Sequence, residues 1–413
     1  MFEKTKGIFQ ENTRQKTVTV LFLLIIVVMF FGMFLSIRTI GGSFLTTYRT
    51  TVPTDAPYLT RINGAIDAAE GAINEGAFQR QSFVELYGLA QLAMDKHVVA
   101  DVNYGALYKT PYGQTAFAVQ QKYVDDACTQ TYALANELKA ADIPFLYIQL
   151  PFKIPPYQYQ TTAQLPPNVH DYSNENADAF VSNLKQAGIK TYDVRKEFWE
   201  SGMTQNELFF NTDHHWTIEG AFFTTRLIAQ TLHDNHGFAI DPALYDMKNF
   251  NAKKYDKSYL GSMGRRVGKI YGGLDDFTLI TPNFPTDYTI NHAAEGKTIK
   301  GSFDEAVIER NYIDNPALDT NKYAAYHGDY EELHFINNLA DNDDKVLIIK
   351  DSFGIPLYSF LSLGIHEVRA IDLRLFTRNV AAYAEAYKPD LVILMYNADS
   401  YGPPMFTFNL DKQ

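Results

Sequence analysis

Asp213, His214, His215 and Trp216 form one run of the chain, and Lys350, Asp351, Ser352, Phe353 and Gly354 form another far downstream. The first supplies a carboxylate and two imidazoles, the second a serine at the end of an apolar stretch. A hydroxyl, a base that takes its proton and a carboxylate that orients the base are the parts of an acyl-transfer site. Asp213 and His215 are two positions apart, so on an extended backbone both side chains point to one side and His214 to the other. That spacing predicts Ser352 as nucleophile, His215 as general base and Asp213 as its orienting partner, with His214 the poorer base.

Ser352 follows the apolar run Val346–Ile349, and Gly354 permits a tight turn into a helix. In open α/β sheets the carboxyl ends of the strands are where ligands bind. The backbone N–H groups of Ser352, Phe353 and Gly354 are the expected oxyanion donors, at a helix N-terminus. The competing reading makes Ser352 a helix cap. Asp213 beside two histidines also suits a zinc site. No HExxH and no cysteine pair accompanies them, and no metal or other cofactor is expected. A structural reading of the same run has Thr212 or Asp213 capping a helix that starts near Thr217. Trp216 is read as packing beneath the site in preference to a sugar platform, though it is kept as a candidate substrate contact.

These residues need a scaffold. Helical spacing at Ile62–Ile73 and Gln81–Met94, then a short strand at Val98–Val102, mark a membrane-proximal part. A long amphipathic helix is predicted over Ala116–Ala141, with Ala118, Tyr123, Ala127, Tyr132 and Leu138 as buried positions. Strand Pro144–Leu150, a helix near Asn176–Ala187, strand Ile189–Val194 and a helix from Thr217 to about Asp234 follow. After a stretch rich in Tyr, Asn, Asp and Gly, read as an insertion over the sheet from about 238 to 344, the rhythm returns. It continues as strand Val346–Ile349, helix Gly354–Leu363, strand Glu367–Ile371, helix Thr377–Tyr387 and strand Leu391–Met395. Alternation of helix and strand predicts a three-layer α/β fold with a parallel sheet covered on both faces.

Thr17–Ile37 is a 21-residue stretch with no charged side chain, enough to cross the roughly 30 Å hydrocarbon layer as a helix. Lys4, Lys6, Arg14 and Lys16 precede it, and Arg38 and Arg49 follow, which predicts a cytoplasmic N-terminus and an outward-facing bulk. The apolar core is long for a cleaved signal peptide, so an uncleaved signal anchor is expected, with Leu45–Thr54 as a polar linker. The organisation expected is a cytoplasmic N-terminus (1–16), an anchor (17–37), a membrane-proximal part (38–115) and a catalytic domain (116–413). The single cysteine, Cys128, rules out an intrachain disulfide, and a net charge of -12 disfavours nucleic acid as partner.

Thr212–Thr217 together with Lys350–Gly354 resembles the DHHW family of bacterial surface proteins, related to the SGNH-hydrolase-like alginate O-acetyltransferases. Gly261–Gly268 and Ile371–Arg374 share in the resemblance, which covers about residues 80 to 400. It implies a Ser-His-Asp acyltransferase outside the membrane, moving acetyl groups onto or off a cell-envelope or exported polysaccharide. It further implies Arg374 as a substrate-contacting arginine, Tyr396 and Asn397 as lining residues, and a multi-spanning membrane protein as acyl donor. The chain departs from ordinary SGNH esterases in order and spacing: Asp-x-His precedes the serine, and Lys350-Asp351-Ser352 replaces Gly-Asp-Ser. A carbohydrate acetylesterase with the same triad, or a non-catalytic glycan-binding or assembly protein, are the alternative readings.

Overall fold

The computed structural model describes residues 2–52, 57–101, 104–160, 164–293 and 295–412. Thr54, Val102 and the side chains of Lys4, Lys6 and Arg14 lie outside what it describes. The chain divides into two compact units, Met1–Tyr87 and Gly88–Gln413.

The first unit is built on one helix, Phe2–Thr51, followed by a second, Tyr58–Gly76. Its stretch Gln15–Arg49 contains an 18-residue window with a mean hydropathy of 3.1 and is long and apolar enough to cross a membrane. The helix runs on through Leu45–Thr51, where a linker was expected. Nothing in that stretch removes a helical N–H, as a proline would. Close approach uses glycine: a side chain at Gly32 would strike the ring of Phe78, just past the second helix, and one at Gly76 would strike Ile40.

The second unit opens with a small antiparallel sheet of β1 (Val98–Asp101), β2 (Gly105–Lys109) and β3 (Thr115–Ala116). The long helix expected from Ala116 is therefore shorter, Asp125–Ala140. Asp125 and Asp126 sit in its first turn, where acidic side chains complement the helix dipole. Upstream, Asp171 captures the Val119 N–H at 2.8 Å and holds that segment out of the helix. Tyr123, expected in the core, is 88% exposed.

The main sheet takes β4 (Phe145–Gln149), β5 (Thr191–Asp193), β8 (Tyr288–His292), β9 (Lys297–Gly301), β10 (Glu332–Asn337), β11 (Lys345–Lys350), β12 (Glu367–Ile371) and β13 (Leu391–Tyr396). Their order is β5-β4-β13-β11-β12-β10-β8-β9. The first five run parallel, as predicted. The remaining three are antiparallel and come from the stretch expected to lie over the sheet. That stretch instead extends the sheet in its own plane, so the outer edge of β12 is paired and its backbone groups are not left bare. The same stretch contributes a hairpin, β6 (Phe250–Tyr259) with β7 (Asp275–Pro282).

Both faces of the parallel strands are covered, and the period-2 alternation sorts side chains between two cores. Val346 and Ile348 face one core with Ile228 and Phe360, whereas Leu347 and Ile349 face the other with Leu134, Phe180 and Val380. β11, buried along most of its length, thus delivers Lys350, Asp351 and Ser352 to the carboxyl edge of the sheet from a rigid base.

Candidate active site

Ser352 leaves β11 in a turn, and the helix Gly354–Leu361 begins two residues later. Its hydroxyl caps no helix; it meets His215 Nε2 at 2.7 Å. On the other side of the imidazole, Nδ1 meets Asp213 Oδ1 at 2.7 Å. The three residues predicted from spacing are therefore joined in one hydrogen-bonded line.

The route to that line differs from the extended strand expected. Residues 211–215 form a series of bends closed by a bridge between Phe209 and Trp216. As a result both imidazoles lie near one carboxylate, with their rings 3.8 Å apart, and His214 Nδ1 is 3.4 Å from Asp213 Oδ1. His214 reaches Ser262 Oγ at 2.9 Å and not Ser352. Burial, then the neighbouring His215, pushes the His214 imidazole down to about 3, so this ring is neutral at neutral pH.

Asp213 is 2% exposed and its oxygens are fully used. Oδ1 takes the His215 ring N–H and the His215 backbone N–H at 3.1 Å. Oδ2 takes the Tyr259 hydroxyl and the Ser262 backbone N–H, each at 2.7 Å. Burial opposes the charge on Asp213, but His215 and His214 outweigh it and hold the carboxyl well below the usual range. A carboxylate so held fixes the His215 tautomer with its free nitrogen toward Ser352. The His215 ring stacks on Tyr323 at 4.1 Å, and Tyr323 is anchored by the Trp216 indole N–H at 2.9 Å.

Trp216 is wholly buried against Phe353, so it packs beneath the site and offers no sugar platform. Tyr396, expected to line the site, is also fully buried; its hydroxyl donates to the Met405 carbonyl at 2.6 Å. Asn397 is turned to Asp351, donating from its backbone at 2.7 Å and its side chain at 2.8 Å. Asp351 gathers donors from Asn397, Ser400 and Phe353 and so braces the turn that presents Ser352. This use removes two of the three expected oxyanion donors: Phe353 N–H binds Asp351 Oδ1 at 2.9 Å and Gly354 N–H binds the Asp351 carbonyl at 3.0 Å. The Ser352 N–H makes no hydrogen bond among the described residues.

Arg374 enters an ion cluster at the same edge. Its guanidinium binds Asp372 at 2.8 Å and Asp329 at 3.0 Å, and Lys350 binds Asp329 at 2.5 Å and Asp372 at 3.1 Å. Asp372 and Lys350 are buried, while the Arg374 side chain stays 38% exposed. Burial alone would raise the Asp329 carboxyl, but Lys350 and Arg374 drive it far below its ordinary range.

Sequence reasoning missed Tyr259, Ser262, Tyr323, Asp329 and Asp372. Tyr259 and Ser262 flank Gly261, the first residue of the Gly261–Gly268 motif, which was the available signal. Asp329 and Tyr323 carry none, since they reach the site only through the fold. The ligand atoms of Asp213, His214 and His215 lie within 4.8 Å of one another. A metal there would have to displace the Tyr259, Ser262 and Ser352 contacts just described, so the donor set does not fit one.

His215 also depends on where the next helix starts. Thr217 caps Ile218–His236, accepting the Gly220 N–H at 3.0 Å and donating to the Glu207 carbonyl at 2.5 Å. Thr217→Ala is expected to cost about 1 kcal/mol, read as a lowered midpoint in thermal unfolding; an unchanged midpoint would mean that the cap is dispensable.

Residues 114–271 match the family model described as an SGNH hydrolase-like domain, acetyltransferase AlgX. Alginate biosynthesis protein AlgX of Pseudomonas aeruginosa is 28% identical over 142 residues, 34% of this chain. The match spans 29% of that relative's length. Among solved structures, PatB1 of Bacillus cereus carrying a sulfonyl adduct superposes with a TM-score of 0.60 at 22% identity, over 76% of this chain and 100% of that one. A DHHW family protein from Eubacterium siraeum superposes with a TM-score of 0.58 at 15% identity, over 76% and 97%. The fold is thus SGNH-hydrolase-like, with one apolar N-terminal helix ahead of it.

Proposed function

We propose that this chain is a membrane-anchored serine O-acyltransferase that acetylates a cell-envelope or exported polysaccharide through an acyl-enzyme on Ser352. The observation that carries the reading is the line from Ser352 Oγ to His215 Nε2 and from His215 Nδ1 to Asp213 Oδ1, each link 2.7 Å. The AlgX-type match over residues 114–271 supports acetyl transfer as the chemistry.

In the first half-reaction His215 takes the Ser352 proton as Oγ attacks the acyl carbonyl. The Ser352 N–H stabilises the oxyanion, and His215 returns the proton to the departing donor group. In the second, a sugar hydroxyl gives its proton to His215 and attacks the acyl-serine. Its collapse frees Oγ, which recovers the proton. Water in place of the sugar gives the esterase reaction, so exclusion of water decides between the two. Arg374, partly exposed at the same edge, is the proposed glycan contact.

The basic residues ahead of the apolar helix support a cytoplasmic N-terminus, with the catalytic domain, residues 116–413, outside. Acetyl-CoA is not at hand there. The acyl group then comes across the bilayer from a multi-spanning membrane partner.

The test is incubation of the full chain with an activated acetyl ester, followed by peptide mass mapping. An acetyl adduct on Ser352, absent from Ser352→Ala and unaffected by a chelator, is expected. A folded chain that forms no adduct and turns over no ester would favour a glycan-binding role, and loss of activity with chelator would favour a metal site.

A further inference from the structure

Residues 211–215 carry the acid and the base of the proposed triad, yet they lie in neither helix nor strand, and only isolated backbone bonds hold them: Thr115 N–H to the Asn211 carbonyl at 2.9 Å, Gly264 N–H to the Thr212 carbonyl at 2.8 Å and Phe210 N–H to the His215 carbonyl at 3.3 Å. Buried backbone groups must nevertheless be paired. On one side of this loop the Asn211 and Asp213 carbonyls, with those of neighbouring Phe210 and Thr115, converge on a single side chain. Lys153, 2% exposed, sends its Nζ to the carbonyls of Thr115 at 2.6 Å, Phe210 at 2.6 Å, Asp213 at 2.8 Å and Asn211 at 3.1 Å. On the other side the N–H groups converge on a carboxylate. Asp275, the first residue of β7, accepts from the Thr212 backbone at 2.7 Å, from the Thr212 hydroxyl at 2.5 Å and from the Asn211 backbone.

Lys153 hydrogen-bonds neither Ser352 nor His215, and nothing in the reaction above uses it. Its charge is nonetheless costly to bury unless the surroundings repay it. Burial pulls the Lys153 ammonium down to about 7 and pushes the Asp275 carboxyl up to about 6, while the Asp275 and Asp213 carboxylates, with four carbonyls at contact, oppose the loss of the Lys153 charge. A neutral amine would offer two N–H groups to four carbonyls. Lys153 itself is tied down at its own carbonyl by Gln205 at 2.9 Å.

We propose that Lys153 and Asp275 are a two-sided clamp, donor on one side and acceptor on the other, that positions the Asp213 loop, so that His215 is oriented before substrate arrives. The proposal rests on the acyl-enzyme reading of Ser352. Lys153 is a positioning residue acting through Asp213, whose carbonyl it holds while the same residue's carboxylate holds His215.

The experiment uses the full chain in detergent, with Lys153→Met, Asp275→Asn and each combined with Asp213→Ala. Backbone amide exchange is measured alongside the rate of Ser352 acetylation by an activated ester. Lys153→Met is expected to speed exchange at Asn211 and Thr212 while β11 stays protected. It is also expected to slow acetylation about 10²-fold, the scale of a misplacement near 1 Å. In the Asp213→Ala background the same change adds little, since the two act along one path. Wild-type exchange at 211–213, a wild-type acetylation rate, or losses that multiply in full would each overturn the clamp. Should Lys153→Met not fold, Asp275→Asn, close in size and retaining one acceptor oxygen, is judged by the same criteria. Exchange reports on the resting chain, so faster exchange with no adduct in the wild type leaves the clamp standing and retires the acyl-enzyme reading.

Discussion

Asp213→Asn is expected to slow acetylation of Ser352 by about 10⁴-fold, the size of the loss this change brings in Ser-His-Asp enzymes. The reason is specific to the contacts. Both carboxylate oxygens receive two donors, His215 Nδ1–H and His215 N–H on one, Tyr259 O–H and Ser262 N–H on the other. An asparagine has one oxygen and one NH2, so one pair of donors must face another donor. The Tyr259 hydroxyl can turn about its bond, but the Ser262 N–H cannot.

If the NH2 faces His215 instead, the imidazole must present its lone pair there and loses the one aimed at Ser352. Either way a buried donor is left unpaired, at about 1–3 kcal/mol of stability. Acetylation rate and thermal unfolding of the variant test both parts. A folded variant that acetylates within about tenfold of the wild type would mean that His215 is not oriented by Asp213.

Gly261→Ala is expected to be nearly as damaging, although this residue bears no functional group. An added Cβ would lie 2.4 Å from Asp213 Cβ, 2.6 Å from its Oδ2 and 2.7 Å from its Cα. Neither the connection that follows β6 nor the bent Asp213 loop can yield without moving the carboxylate. A shift near 1 Å corresponds to about 10²-fold in rate, with overpacking adding about 1–3 kcal/mol of destabilisation. Gly402→Ala is the control, because a Cβ there meets nothing within 4 Å. Equal activity of the two variants would refute the account of Gly261 as a spacer for Asp213.

Gly261 also explains why the motif Gly261–Gly268 was visible without being understood. Gly264 stands in the same relation to Thr212, whose Cβ would be 2.7 Å from an alanine's. The glycines let the connection between β6 and β7 lie directly on the Asp213 loop, and Tyr259, at the end of β6, and Ser262, within that connection, reach Asp213. Spacing along the chain reports that such residues matter. It does not report which distant backbone they must approach.

The excursion from Phe238 to Asp344 was misjudged for a related reason. Its strands are short and polar on one side, since they pair as an antiparallel extension with one face open, and the helix-strand rhythm that marks a doubly covered sheet is lost. The helix over Ala116–Ala141 was overextended because apolar spacing alone does not register that Asp171 takes the Val119 N–H. The oxyanion donors differ for a local reason: within one turn the Asp351 Oδ1 takes the Phe353 N–H and its carbonyl takes the Gly354 N–H, while Asn397 and Ser400 hold the other carboxylate oxygen.

Local patterning by itself determined the apolar helix, the α/β class, the parallel core strands and the three residues Asp213, His215 and Ser352, because these follow from periodicity and from chemistry that few residue types can perform. Only the tertiary structure decided how the carboxylate is saturated, which ring faces the serine, and that Lys153 and Asp275 meet the loop from either side. Those are matters of pairing between groups far apart in the chain, and a buried polar group finds its partner by position in space.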